Sequence, residues 1–424
     1  MAIPYEDAAR LLRKEARCQT NSFLQHTETS SIYDSCERIA SETVYSPIRT
    51  PHYDTSAMDG FALSSSDTQL VSPDNRVTFE VHAITTAGNE PYSLNKTISG
   101  VRPCVEVMTG APFPTGPDGE QYDCCVPIEN VRRERQYISV SKPPMHRQHR
   151  RCAGGDFQKG DFIVKPAERI TPQHVLSMAS VGISKVPVLR KPRVVVFSTG
   201  CELLSAEDHA LHEFMIHDAN GPYLTTMLRK HGVDVDLGGV VHDEPNLMEH
   251  ALVKALQNGY DMVLTSSAVS AGRCDVIPDA VNRMGGRTVF HRVAVKPGHP
   301  IFFSIIPDTE TPIFGLPGNP VAAAACLRFF VLPYLQCLQL QPTEEPQFSR
   351  LQVTKDVEGP VKDFRKEVDI FRPAILSPCK EHVQIIEDHS PGKTKPFLLA
   401  NCWVHIPRGV SALRDNDLVA IYPC

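Results

Sequence analysis

The chain has 424 residues, more than one hydrophobic core usually organises, and its 42% apolar and 22% charged content are those of a globular protein. A formal net charge of -6, with 43 basic residues spread along the chain, argues against a nucleic-acid partner and leaves room for a local cationic pocket. The first residues are charged where a secretion signal needs an apolar core, and no run reaches the roughly 18 apolar residues of a membrane span. With 13 cysteines and no CxxC pair, neither a disulfide framework nor a zinc knuckle is signalled, so reduced thiols and a cytoplasmic location are expected.

Residues 5–18 place Ala8, Leu11, Leu12 and Ala16 at helical spacing, and 35–44 are expected to form a second helix. From Tyr45 the texture changes to Pro, Thr and short alternations such as Val77-Thr78-Phe79-Glu80-Val81, which predicts a small β-rich domain. Residues 142–151, KPPMHRQHRR, read as a basic linker, followed by a return strand over 159–164 and a helix over 172–181. At Lys191 the pattern becomes βαβ. Strands are expected over 193–198, 234–241 and 261–265, and helices over 222–231, 245–258 and 276–284, which together predict a doubly wound sheet.

Residues 314–320, FGLPGNP, read as a strand end turning into a helix, with Asn319 as N-cap and Pro320 at the first helical position. The amides of Val321, Ala322 and Ala323 are then expected to point out of the helix start, where an anion gains about 0.3–1 kcal/mol. Arg292 and Lys296 bring two cations just upstream. An ordinary strand-to-helix turn explains this stretch equally well on its own. A last β-rich segment has strands near 371–376, 383–386 and 403–406. The expected division is 1–45 with 142–190, 46–141, 191–340 and 341–424.

Ligands of doubly wound sheets lie outside the carboxyl ends of the strands. Those ends are Gly200-Cys201-Glu202, His242-Asp243, residues 266–270 and Leu316-Pro317-Gly318. Glu202 and Asp243, with Asp275 nearby, suit a hard cation such as Mg²⁺, which takes oxygen ligands and is shared with substrate phosphates. Any one of these acids alone could simply cap a helix or end a strand. No defensible Ser-His-Asp order, GxGxxG or GxxxxGK[ST] occurs, which argues against a dinucleotide dehydrogenase or P-loop enzyme.

Ser56-Ala57-Met58-Asp59-Gly60-Phe61-Ala62, Met108-Thr109-Gly110-Ala111-Pro112, Ser198-Thr199-Gly200-Cys201-Glu202-Leu203, Asp218-Ala219-Asn220, Val295-Lys296-Pro297-Gly298 and Gly315-Leu316-Pro317-Gly318-Asn319-Pro320-Val321 follow one another as in a known family. In these motifs the chain resembles, over essentially its whole length, the MoeA-type molybdopterin molybdenumtransferases, which include the E domain of gephyrin. The resemblance implies a multidomain α/β fold. Its parts are a doubly wound MoaB/Mog-like domain, two β-rich subdomains and a helical or mixed N-terminal subdomain. It implies a transferase that inserts molybdate into adenylylated molybdopterin with release of AMP, helped by Mg²⁺. It further implies a homodimer whose cleft joins the doubly wound domain of one protomer to the β-rich domain of the other, and a molybdopterin adenylyltransferase as upstream partner.

The family's functional positions fall on Asp59, Thr109, Asp156, Glu202, Asp243 and Asp275 for catalysis, with Glu202 and Asp243 holding the metal. Ligand-binding positions fall on Arg292, Lys296, Ser267, Ser270, Pro317, Pro320, Arg372 and Ser390. The chain departs from the family at Cys201, where an acid is usual, at Ser267-Ala268, where two glycines are usual, and at His299, where a lysine is usual. Side chains at 267 and 268 keep an anion from approaching the backbone closely, and an imidazole at 299 lowers the local positive charge. Two other readings stay open: a non-catalytic scaffold or binding protein, and a diverged enzyme for another adenylylated or phosphorylated ligand.

Overall fold

The run Arg193–Thr199 is buried along nearly its whole length, as a central parallel strand must be. In the computed structural model, which describes residues 2–94, 100–205, 207, 213–269, 276–353, 367–387, 390–410 and 412–424, this strand pairs in parallel with Asp234–Val241 on one side and Met262–Ser266 on the other. Thr311–Leu316 adds in parallel beside Met262–Ser266, and Phe302–Ile306 and then Arg287–His291 complete six strands.

The last step departs from a uniform βαβ alternation. Residues 307–310 are too few to carry a crossover helix, so Phe302–Ile306 and Thr311–Leu316 form an antiparallel pair. The pleat sorts side chains between two layers. Val194, Val196, Leu264 and Phe314 pack with helices Tyr5–Phe23 and Asn220–Lys230, whereas Val195, Phe197, Val263 and Ile313 pack with Pro245–Gln257 and Val276–Arg283.

The sheet ends in a helical run from Pro320 to Leu338 of 19 residues, interrupted by one π-helical stretch, Leu327–Val331. Pro333 has no amide hydrogen to offer the preceding turn, and a widened turn accommodates that loss. By length and composition this run could cross a membrane, yet its side chains are buried against the sheet. Arg328 sits midway, buried, donating to Glu344 Oε2 at 2.5 Å and to the Pro423 carbonyl at 3.3 Å.

Beyond residue 346 the strands Gln347–Leu351, Asp369–Leu376, His382–Ile385, Cys402–Ile406 and Leu418–Pro423 close into a barrel, because Asp369–Leu376 pairs with both His382–Ile385 and Cys402–Ile406. Closure leaves no free edge around the core of Leu351, Ile370, Val383, Val404 and Ile421. Val295–Lys296 joins it in parallel at Asp369–Ile370. Sheet and barrel fall in one compact unit, Met1–Glu28, Glu37–Ser41 and Val188–Cys424; the second unit is Thr29–Cys36 and Glu42–Pro187.

The second unit holds a six-stranded sheet in the order Cys124–Pro127, Gly60–Leu63, Arg102–Val107, Val77–Thr85, Tyr137–Val140 and Val131–Glu134, with one parallel pairing. Its helix Pro172–Ser180 starts with a capping box between Thr171 and His174. The helix expected over 35–44 does not form. Ser35 instead turns its hydroxyl onto the Ile32 carbonyl at 2.8 Å, Glu37 takes φ +66°, which a right-handed helix cannot contain, and Ala40 bridges to Val188.

Candidate functional site

Strand order reverses between Arg193–Thr199 and Met262–Ser266, since the chain leaves the first strand to build Asp234–Val241 on one side and returns on the other. The Thr199 hydroxyl spans this switch point, donating to the Ser266 carbonyl at 3.0 Å. On one side Gly200, at φ +154°, turns the chain so that the Glu202 carboxylate folds back over it: a Cβ at Gly200 would lie 2.6 Å from Glu202 Oε2. The Gly200 amide donates to Val241, so Glu202 and half-buried Asp243 leave neighbouring strand ends.

On the other side the loop is strained. Ser267 and Ala268 take φ +87° and +56°, a region that costs residues with a Cβ roughly 1–2 kcal/mol each. The Ser267 amide donates to Leu316, and a Cβ at Gly318 would lie 2.8 Å from Ser267 Oγ, so this serine occupies the floor beside the GLPGNP turn. Ser267→Gly should raise stability by about 0.5–1 kcal/mol, the relieved strain being partly offset by the freer unfolded chain. A denaturant midpoint equal to or below that of the parent would show that the hydroxyl's contacts outweigh the strain.

Asn220 ties the loops together: its Nδ2 donates to Ser266 Oγ and to the Gly318 carbonyl, both at 2.7 Å. It opens the helix Asn220–Lys230, which is capped from Asp218; the Asp218 carboxylate accepts from the Gly221 amide and the Ser198 hydroxyl. Asn220 lies in the motif Asp218-Ala219-Asn220 but takes no site role from sequence, although Asp and Asn at a helix start are a recognised capping signal.

The helix start at Pro320 differs from expectation. Asn319 makes no side-chain cap bond; the Val321 amide donates to the Pro391 carbonyl at 2.9 Å and the Ala323 amide to Asn319 O. The Ser390-Pro391-Gly392 loop therefore covers part of the end that was expected to be open. Pro317 is buried and Pro320 half-buried in this turn, while Ser390 is exposed.

Arg292, at φ +72°, is half-buried, with its backbone bonded to Ile3 and Ile301; Lys296 and His299 are exposed. Arg372 is only 6% exposed, and no described residue offers it a hydrogen bond or an ion pair. Burial lowers its pKa to about 10. It lies on Asp369–Leu376, the strand that pairs with Val295–Lys296. Ser270 and Asp275 lie outside the described residues.

The second unit brings Asp59 and Thr109 together. Asp59 Oδ1 accepts from the Thr109 amide at 2.6 Å and from its hydroxyl at 2.8 Å, and these bonds hold the exposed carboxyl below its ordinary range. The two loops are stitched by Gly110 N to Ser56 O and Ser56 N to Ala111 O, and the Ser56 hydroxyl holds the first loop's turn by donating to Met58 O. Asp156 is exposed on a separate turn, its amide bonded to Thr50 O; among the described residues no hydrogen bond joins it to the Asp59–Thr109 pair.

Fold and site define a multidomain α/β protein whose doubly wound sheet presents carboxylates, hydroxyls and a helix start at its switch point. Residues 3–182 match the MoeA N-terminal region (domain I and II), and residues 195–337 match a probable molybdopterin binding domain. The chain is 34% identical over 394 residues to a molybdopterin molybdenumtransferase of Synechococcus elongatus, covering 93% of this chain and 94% of that one. It is 29% identical over 400 residues to that of a Nostoc species, covering 94% and 88%. A solved molybdopterin biosynthesis MoeA protein from Pyrococcus horikoshii matches 99% of this chain and 98% of its own with TM-score 0.78 at 27% identity. The chain belongs to the molybdopterin molybdenumtransferase family.

Proposed function

We infer that the protein is a transferase of molybdenum cofactor biosynthesis, acting in the cytoplasm as a homodimer, which inserts molybdate into adenylylated molybdopterin with release of AMP. The observation that carries this reading is the switch-point cleft, where Asn220 fixes the 266–268 loop to the GLPGNP turn beside the strand ends that bear Glu202 and Asp243. Such an arrangement suits a ligand with a diphosphate arm. Glu202 and Asp243 would hold Mg²⁺, which offsets phosphate charge. Both carboxylates offer the hard oxygen donors that suit an ion shared with substrate phosphates. Arg372, a buried cation with no anionic partner among the described residues, and Lys296 on the adjoining strand would meet the molybdate oxyanion, with Ser390 in the loop over Val321. Arg292, Ser267, Ser270, Pro317 and Pro320 would shape the pterin and phosphate pocket. Asp59, Thr109 and Asp156 would complete the site from the partner protomer, and Asp275 would take part in catalysis. A molybdopterin adenylyltransferase would supply the substrate.

A second reading, an enzyme for a different adenylylated ligand, is favoured by one feature: the Ser267 side chain lies where a glycine would leave the floor open. The test uses the purified chain with adenylylated molybdopterin, molybdate and Mg²⁺. AMP release that requires molybdate supports the first reading; its absence overturns it. Mixing Asp59→Ala and Asp243→Asn chains should restore part of the activity through one intact site per heterodimer. No recovery between subunits shown to exchange would remove the shared site.

A further inference from the structure

The three candidate positions of the second unit hang from one sheltered ion pair. Arg150 donates from Nε to Asp54 Oδ2 at 2.6 Å and its Nη2 meets the same oxygen; the two side chains are 13% and 17% exposed. A guanidinium holds its donors in a rigid planar fork, and this one points in several directions at once. Nη1 donates to the Tyr122 carbonyl and Nη2 to Gln121 Oε1, both at 2.8 Å, and the guanidinium lies over the Phe113 ring at 5.2 Å. The second oxygen of Asp54 accepts from the Ala153 amide at 2.7 Å, and its carbonyl accepts from the Phe113 amide at 2.9 Å.

Position along the chain turns these bonds into a frame. Asp59 follows Asp54 through Thr55–Ser56, the strand that pairs with Arg150–Arg151. Thr109 lies just before Phe113, and Asp156 just after Ala153 on a turn closed by Gly155 N to Cys152 O at 3.0 Å. That turn is also bonded through its Gly154 and Asp156 amides to Pro51 O and Thr50 O, on the segment that runs into Asp54. We propose that Arg150 and Asp54 are positioning residues, which fix Asp59, Thr109 and Asp156 in one geometry for the transfer reaction. The proposal rests on the site roles given to those three under the proposed function. A misplacement of about 1 Å at a reacting group can cost on the order of a hundredfold in rate, so a pair that touches no reacting atom still governs the rate.

The test has one readout that needs no activity. In Arg150→Gln the amides of Thr109 and Asp156 should exchange with deuterium about tenfold faster or more, while those of Val195 and Leu264 in the first unit keep the parental rate. The kcat of AMP release should fall about tenfold to a hundredfold with KM for adenylylated molybdopterin within about twofold, since the ligand-binding positions lie on the first unit. Arg150→Lys keeps a charge for Asp54 but lacks the fork, so it should show both effects at smaller size, and it decides the matter if the glutamine variant does not fold. Arg190→Gln, which breaks the bidentate pair with Asp261 at 2.7 and 2.9 Å in the first unit, should lose stability and keep the parental kcat. The proposal is overturned by parental exchange at Thr109 and Asp156, by a parental kcat despite faster exchange, or by an equal loss of kcat in Arg190→Gln. A parent that releases no AMP would instead remove the proposed function, and the exchange rates would then decide the frame by themselves.

Discussion

Asp243→Asn should lower the rate of AMP release roughly a hundredfold or more and raise the Mg²⁺ concentration needed for what remains. The substitution keeps shape and one carbonyl acceptor but removes the charge that a hard divalent ion requires. Its position makes the effect large. Asp234–Val241 is the edge strand beside Arg193–Thr199, and its carboxyl end adjoins the turn on which Gly200 folds back the Glu202 carboxylate. On the proposed assignment the two carboxylates share one ion, and losing one of them would leave the other with too little charge to hold it against water. The measurement is a Mg²⁺ titration of AMP release on a variant whose circular dichroism and melting match the parent. A parental rate and parental Mg²⁺ dependence would place the ion elsewhere.

Arg372→Met should do two opposite things: stabilise the fold and remove productive use of molybdate. The guanidinium is 6% exposed with no described partner, and burial alone lowers its pKa to about 10. Its folded pKa lies below its unfolded one, so the penalty is in force throughout the neutral range and fades only as the pH rises above about 10. A methionine of similar reach drops that penalty, and a gain of about 1–3 kcal/mol is expected. An anion that binds there repays the same cost in the parent protein, so the variant should need on the order of a hundredfold more molybdate for half-maximal AMP release. Denaturant titration and a molybdate titration decide together. A less stable variant would show that Arg372 serves the barrel, and an unchanged molybdate requirement would remove it from the site.

The parts of this molecule legible in sequence were those where a local rule and the tertiary demand agree. The apolar run at 193–199, the helix over 245–258 and the strand-to-helix turn with Pro320 first in its helix all announce themselves, because buried parallel strands must be continuously apolar and proline is favoured at that helical position. The reversed last strand pair was hidden only by reading alternation without counting residues 307–310. The misread segment 35–44 has helical spacing, but Ser35 bonds the backbone locally and a bridge to Val188, far along the chain, claims Ala40. The helix start at Pro320 was expected to offer three amides, and the chain 70 residues later closes one of them with the Pro391 carbonyl. No local pattern encodes a contact of that span. The motifs located Asp59 and Thr109 without their mutual bond, and Arg372 without its burial, since both properties arise only once strands are paired.

Arg328 has a further consequence for the chain while it is being made. The run from Pro320 to Leu338 is 19 residues long and, by length and composition alone, apolar enough to pass for a membrane span. An arginine near the middle of such a segment opposes insertion by roughly 2.5–3.5 kcal/mol. Before the sheet covers this helix, that guanidinium disfavours burial in hydrocarbon. After folding, Glu344 and the Pro423 carbonyl receive the charge. The same guanidinium that the folded interior satisfies would thus count against a bilayer as the helix's surroundings.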